Sequence, residues 1–322
     1  MGSVAFVFPG QGSQSVGMGQ ALAKTYPVAA ETFGQADVAL GEPITDLAFD
    51  GPAEELDRTQ NAQPALLATS IAYLRALQAA LAAEGRAPLE PAFYAGHSMG
   101  QYSAMVAAGV ISLDDGIRLV RERGLRMQAS GRDGAMAAII GLDDARLPEL
   151  IAAGQAHGIF GVANRNSPGQ VVVSGERAAV EAAAETAKAL GAKRAIVLPV
   201  SVAAHSPLMA EAAEGMRGVL AGVAFSDPAA PLLANADARR LTTGEACRAE
   251  LVDHLTTGVD WVGAVEAIAA AGVTTFIEVG PGRVLTGLIK RIVPDLEAFA
   301  LDDPTTPGRL AIPDFDAVPA SA

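Results

Sequence analysis

Ser98 stands between two glycines, in the run Ala95-Gly96-His97-Ser98-Met99-Gly100. A Gly-x-Ser-x-Gly run between a strand and a helix is the pattern of a nucleophile elbow. The serine then sits on a tight, strained turn, and the flanking glycines allow close approach where a Cβ would clash. The helix that follows aims its first N–H groups at a developing oxyanion, with the N–H of Met99 as the natural first donor. The plain alternative is that Ser98 only caps a helix, which serine does well. A short strand before it and a helix after it are the context that favours the nucleophile.

A serine hydroxyl needs a base, and the chain has four histidines. His97 adjoins the serine, and neighbours on a sharp turn rarely face each other. His157 ends a helix, where a surface or capping role is expected. His254 lies in Leu251-Val-Asp-His-Leu255, which reads as helix with a packing role. His205 follows the loop Leu198-Pro-Val-Ser-Val-Ala-Ala-His205, and catalytic groups favour loops set on a rigid sheet. By elimination His205 is the base. No Asp lies near it in sequence, so its orienting partner is either a distant acid or a backbone carbonyl.

Two further features suit acyl chemistry. From Leu113 to Met127 the residues Leu113, Ile117, Val120, Gly124 and Met127 share one helix face, and Arg123, then Arg121, lie nearest to it. A half-buried guanidinium needs an anion. The partner is either an internal acid, the commoner case, or the carboxylate of a ligand. Near the N-terminus, Phe8-Pro-Gly-Gln-Gly-Ser-Gln14 follows a strand; Ser15 stands where a dinucleotide fingerprint needs its third glycine. Such a turn can instead aim a backbone N–H, that of Gln11, into a site.

The elements that must position these groups read as an α/β protein. Val4 to Phe8 and Ala92 to Ala95 are short buried strands, each ending in a glycine turn. A helix is expected from Pro64 to Leu81, with proline at its start. Others run from the elbow to about Ala108, from Leu113 to Ala129, and from Pro207 to Ala221. Between Gly134 and Val200 the order is strand (Ala135 to Ile140), helix (Leu147 to His157), two strands (Phe160 to Ala163, Gln170 to Ser174), helix (Glu176 to Leu190) and strand (Arg194 to Leu198). That βαββαβ order is a ferredoxin-like pattern. It is expected as a subdomain over 131–200, inserted into a catalytic body over 1–130 and 201–302. A strand at Thr274 to Val279 belongs to that body, and the proline-rich tail, 303–322, is expected to be disordered.

Composition narrows the function classes. Half of the 322 residues are apolar and 18% are charged, enough for a large core. The 36 acidic residues outweigh 23 basic ones, giving a net charge of −13. That balance argues against nucleic acid and anionic membrane as partners. Cys247 is the only cysteine, so no internal disulfide forms and no cysteine-based metal site exists; a reducing cytoplasm is expected. The N-terminus lacks the basic and apolar regions of a signal peptide, and no apolar run is expected to span a membrane. No cofactor or metal is called for, and a monomer is expected.

Taken together, these residues resemble the malonyl-CoA:acyl carrier protein transacylases of bacterial type II fatty-acid synthesis. The likeness covers nearly all of residues 3 to 302. It includes Phe6-Val-Phe-Pro-Gly-Gln-Gly-Ser-Gln14, Gln63-Pro-Ala-Leu, Gly96 to Ala104, Arg123-Gly, Asn166-Ser-Pro-Gly-Gln170, Pro199-Val-Ser-Val to His205, and Glu278-Val-Gly-Pro-Gly-Arg-Val-Leu-Thr-Gly287. The resemblance implies an α/β-hydrolase-like body with a ferredoxin-like insert, and a ping-pong transfer of malonyl from CoA to the phosphopantetheine thiol of acyl carrier protein. Ser98 would be the nucleophile, His205 the base, the N–H groups of Gln11 and Met99 the oxyanion donors, and Arg123 the carboxylate ligand. It further implies that a backbone carbonyl orients the histidine.

Several positions depart from the family pattern. Met99 and Gln101 replace the usual Leu and Glu, and His254 stands where a Gln is usual. Ala204, before His205, is small and leaves room for a bulkier acyl group such as methylmalonyl, in polyketide synthesis. By the same resemblance Lys193, Arg194, Arg283, Lys290 and Arg291 are docking residues for the acidic carrier; the alternative is a solvated basic cluster. The rival functions are a serine thioesterase or hydrolase and a non-catalytic carrier-binding scaffold.

Overall fold

The computed structural model describes residues 3–130, 133–198, 200 and 202–303. Strand β1 (Ser3–Phe8) is followed by helices α1 (Gln20–Thr25), α2 (Pro27–Leu40), α3 (Ile44–Asp50), α4 (Ala53–Leu56) and α5 (Thr59–Ala83). Then come β2 (Phe93–Gly96), α6 (Gly100–Ala107) and α7 (Leu113–Ala129). The middle of the chain holds β3 (Gly134–Ile140), α8 (Leu147–Gln155), β4 (Phe160–Ser167), β5 (Gln170–Glu176), α9 (Arg177–Ala189) and β6 (Arg194–Val197). The last third holds α10 (Ala210–Leu220), β7 (Leu232–Leu233), β8 (Arg240–Leu241), α11 (Gly244–Asp253), β9 (Val259–Asp260), α12 (Trp261–Ala270), β10 (Val273–Val279), α13 (Val284–Ile292) and β11 (Glu297–Leu301).

This is a mixed α/β fold with two sheets. The larger has the order β11-β10-β1-β2-β7-β8, parallel except for β8. Period-2 alternation sends Phe6 and Phe8 to one face, under α5 and α6, and Ala5 and Val7 to the other, under α12 and α13. Burial on both faces explains why β1 reads as one unbroken apolar run rather than an alternating one.

The second sheet has the order β6-β3-β5-β4-β9, and its first four strands pair antiparallel. Helices α8 and α9 cover one face, over Ala137, Ile139, Val171 and Val173. Met136 and Val172 turn to the opposite face, which with Leu198, Val200 and Ala204 walls the large cavity described below. Strand β9, from the last third of the chain, adds parallel to β4, so this sheet is continued by a strand from outside 131–200.

Several boundaries differ from the sequence expectation. Helix α5 begins at Thr59, and Pro64 lies inside it rather than at its start. Its first turn is secured by side chains instead, with Gln63 Nε2 donating to Thr59 Oγ1 at 2.7 Å. By length and composition this same helix could cross a membrane, contrary to expectation, but 67% of its apolar stretch is buried inside the fold. Residues Pro207–Met209 form a 3-10 turn ahead of α10, and the strand expected to Leu198 stops at Val197. Helix α11 ends at Asp253, leaving His254 as its C-cap rather than inside it. The tail expectation for 303–322 lies, but for Asp303, outside the described residues.

Helices α5 and α7 approach so closely at Gly124 that a Cβ there would collide with the backbone of Gln60. Alanine is the better helix former by about 1 kcal/mol, but overpacking against backbone costs about 1–3 kcal/mol. Gly124→Ala is therefore expected to lower the urea midpoint despite its helix propensity, with the slope of the transition unchanged.

Candidate active site

The elbow is built where β2 ends beside β1. Phe8 pairs with Gly96, and the N–H of His97 donates to the Phe8 carbonyl at 3.0 Å. A Cβ on Gly96 would strike the backbone of Gly100 and Gln101, and one on Gly100 would strike the Phe8 carbonyl. The two glycines are thus required by contact. Between them Ser98 adopts the left-handed conformation, φ 53°. His205 does the same at φ 60°. Each such residue costs about 1–3 kcal/mol and persists only where its surroundings over-determine it.

Ser98 Oγ lies 2.8 Å from His205 Nε2. On its other side, His205 Nδ1 is 2.7 Å from the carbonyl of His254 and 3.1 Å from that of Thr257. Those acceptors fix the proton on Nδ1 and leave the Nε2 lone pair facing the serine. Burial first, then the charge of Arg123, pulls the His205 pKa down to about 3, so the ring is neutral at neutral pH.

Arg123 is 2% exposed. It donates from Nη1 to Gln63 Oε1 at 2.9 Å and from Nη2 to Ser98 Oγ at 3.2 Å, while its Nε has no partner. No carboxylate pairs with it among the described residues. Arg121 takes the commoner course, pairing with Glu42 at 2.8 Å and Asn61 at 2.6 Å near the surface. His254 is wholly buried; its Nδ1 donates to the Glu250 carbonyl at 3.1 Å, and its Nε2 lies 3.4 Å from Arg123 Nη2. Burial, then Arg123, holds it well below the usual histidine range.

Four of the other expected residues line one cavity of about 890 Å³ that reaches Ser98, Arg123 and His205. Gln11 and Met99 line it, and neither backbone N–H has a partner among the described residues. The Gln11 turn is tied to Arg123 through Gln11 Oε1, Thr59 Oγ1 and Gln63, in bonds of 2.8, 2.7 and 2.9 Å. Arg283 and Arg291 stand at the cavity's mouth; Arg283 pairs with Asp302 and Arg291 donates to Gln170 Oε1 at 2.9 Å. Lys193, Arg194 and Lys290 are exposed. Arg194 and Gln170 both pair with Ile140, so the Arg194 end of β6 and Arg291 share one end of the smaller sheet. His97 donates to Asn166 Oδ1 at 2.9 Å and does not reach the serine hydroxyl, and His157 is exposed, as expected of both.

Sequence reasoning missed Asn235, whose Oδ1 accepts the N–H of Ser98 at 2.8 Å across 137 positions. It also missed Gln101 as a brace: the Gly96 N–H donates to its Oε1 at 3.1 Å, and its Nε2 donates to the Leu233 carbonyl at 2.9 Å. The usual family glutamate cannot make the second bond while ionised.

A neutral histidine on a serine, with free N–H groups and a cation beside it, is the equipment of a serine-dependent acyl-transfer site. A family model described as an acyl transferase domain matches residues 5–301. The malonyl CoA-acyl carrier protein transacylase of Escherichia coli (strain K12) is 48% identical over 307 residues, covering 95% of this chain and 97% of that protein. Its namesake in Bacillus subtilis (strain 168) is 43% identical, covering 95% of each. Among solved structures, an acyl carrier protein S-malonyltransferase from Vibrio cholerae aligns with a TM-score of 0.88 at 44% identity, covering 94% of this chain and 97% of that one. A malonyl-transacylase in complex with a type II PKS acyl-carrier protein aligns with the same TM-score at 45% identity, covering 94% and 96%. The chain belongs to the acyltransferase family, in the branch of the malonyl CoA-acyl carrier protein transacylases.

Because Arg123 depresses His205, Arg123→Met is expected to move the His205 pKa upward, from about 3 towards the usual histidine value. Titration of the histidine ring signals by NMR checks this; an unmoved His205 signal would refute the coupling.

Proposed function

We propose that the protein transfers a malonyl group from coenzyme A to the phosphopantetheine thiol of an acyl carrier protein, through an acyl-enzyme on Ser98. Arg123 carries the proposal. A buried guanidinium without a carboxylate, 3.2 Å from the serine oxygen, is satisfied by a ligand carboxylate held through two parallel hydrogen bonds. A malonyl thioester presents such a carboxylate a short distance from the carbonyl that the serine attacks. The names of the relatives support the same substrates.

In the first half-reaction Ser98 Oγ attacks the thioester carbonyl while its proton passes to His205 Nε2. The oxyanion is received by the N–H groups of Gln11 and Met99, where losing one donor costs about 3–4 kcal/mol. Collapse breaks the C–S bond, and the departing CoA sulfur takes the proton from His205. In the second half-reaction the carrier thiol gives its proton to His205 and attacks the Ser98 ester; collapse returns the proton to Ser98. The malonyl carboxylate offsets the charge of Arg123, so the base strengthens when the correct substrate is in place.

The fold reading that accompanies this function is an α/β-hydrolase-like body, 1–130 and 201–302, with a ferredoxin-like subdomain, 131–200. The elbow on a parallel sheet supports the first part. The βαββαβ order with β3 and β5 central supports the second. For the carrier, Lys193, Arg194, Arg283, Lys290 and Arg291 form the docking face; Arg283 and Arg291 line the cavity, Lys290 adjoins Arg291, and the Arg194 end of β6 shares a sheet end with Arg291 in an otherwise acidic protein. Ala204 lines the cavity and favours a second reading, in which methylmalonyl is also accepted.

Incubation with radiolabelled malonyl-CoA is expected to label Ser98, and adding holo acyl carrier protein to move the label to the carrier. Ser98→Ala should abolish labelling. Free malonate in place of malonyl carrier would sink the transferase reading, and methylmalonyl turnover equal to malonyl would favour the second one. Arg123→Ala should cost malonyl transfer about 2–5 kcal/mol in kcat/KM while some acetyl transfer survives; unchanged malonyl kinetics would refute the role of Arg123. An Arg194→Glu, Lys290→Glu double variant is expected to raise KM for the carrier by about tenfold, most at low salt, with little change for malonyl-CoA.

A further inference from the structure

The left-handed backbone at Ser98 needs something to hold it, and neither the glycines nor His205 does so. Gly96 and Gly100 only permit the turn, and His205 touches the hydroxyl rather than the backbone. The Gln101 brace holds only the Gly96 N–H and the Phe8 carbonyl only the His97 N–H, whereas one side-chain amide grips the turn at two points, the Ser98 N–H among them. Asn235 Oδ1 accepts the Ser98 N–H at 2.8 Å, and Asn235 Nδ2 donates to the Gly96 carbonyl at 3.0 Å. Both ends of the three-residue turn are thereby fastened to a single planar group.

Asn235 is itself immobilised. It is 3% exposed. Its N–H donates to Glu250 Oε1 at 2.6 Å, and its carbonyl accepts the Asp260 N–H at 2.6 Å. All four polar groups of the residue are therefore engaged. Glu250 is buried as well, steadied by Arg239 at 3.4 Å. Its backbone carbonyl accepts from His254 Nδ1, and the His254 carbonyl in turn orients His205. One residue thus anchors the support of the serine through its side chain and the support of the histidine through its backbone.

We propose that Asn235, seated on Glu250, is the positioning residue that holds Ser98 in its reactive conformation and in register with His205. This rests on Ser98 being the acylated serine. The chemistry is specific to an amide. Aspartate has nearly the same shape and keeps the acceptor for Ser98, but it loses the donor for Gly96 and places a carboxylate against that carbonyl. Leucine keeps the bulk and loses both bonds. Neither Asn235 nor Glu250 reaches the cavity, so substrate binding through Arg123 is left intact.

The test is the rate of Ser98 acylation by malonyl-CoA, followed by rapid quench and intact-protein mass spectrometry and normalised to folded protein by near-UV circular dichroism. Asn235→Asp and Asn235→Leu are expected to lower kcat about 10²-fold, the effect of a small misplacement of a reacting group. KM should stay within about twofold, since ground-state binding is untouched. A residue that only stabilised the fold would lower the melting temperature and leave the rate per folded molecule unmoved. Should the Asn235 variants fail to fold, Glu250→Gln, which keeps an oxygen acceptor for Asn235, should acylate faster than Glu250→Leu; equal rates would overturn the proposal. Folded Asn235→Asp that acylates as fast as native protein would overturn it alone. Native protein that takes no malonyl label would overturn it together with the acyl-transfer reading.

Discussion

Arg123 carries a full positive charge into the interior, and among the described residues no carboxylate meets it. An isolated buried cation is expensive, so its neighbours are arranged to make that cost bearable without cancelling the charge. Gln63 lends an oxygen, Ser98 lends its hydroxyl oxygen, and His254 turns an unprotonated ring nitrogen towards it. The ring of Tyr102 faces the guanidinium at 5.9 Å, and burial pushes that phenol up to about 12, so it offers a π face and no anion. Every one of these partners is neutral, which leaves the guanidinium without an anion among the described residues.

The same constraint explains the orientation of His205. A catalytic histidine is often steadied by a carboxylate. Here a carboxylate in that place would bring a negative charge into the same buried site and offset part of the positive field of Arg123. Two backbone carbonyls, from His254 and Thr257, fix the tautomer with dipoles instead of a charge. Those dipoles raise the His205 pKa less than burial and the charge of Arg123 lower it, so the ring stays neutral. On the proposed reading, a substrate carboxylate offsets that charge at the moment the base is needed.

The parts of this arrangement that sequence made legible are those written in local pattern. The glycines around Ser98 mark a turn whose contacts exclude a Cβ. The helical period over Leu113–Ala129 puts Arg123 on the apolar face. The βαββαβ order follows from alternating periods of 2 and 3.6. Illegible were the groups that act across long separations or in short elements. Strands β7 and β8 have two residues each, too few for any period to show, and Asn235 follows β7 in a stretch that reads as a turn. Gln101 is buried, and its bond to the Leu233 carbonyl crosses 132 positions, which no local pattern reveals. Pro64 misled because proline usually opens a helix, whereas here tertiary packing and the Thr59–Gln63 bond carry the first turn past it.

His254 shows how a departure from the family pattern can be absorbed. Its backbone carbonyl orients His205, and that contact is indifferent to side-chain identity. Its ring does a different task, accepting from Arg123, and an amide oxygen of the usual glutamine could do the same. The two residues differ in that a histidine could become charged beside Arg123. Burial, then the charge of Arg123, prevents this by favouring the neutral ring, and together they outweigh the opposing effect of the Nδ1 donation to the Glu250 carbonyl. The substitution therefore keeps the one property the site requires at that position, a neutral acceptor facing the buried cation, and replaces only the chemical group that supplies it.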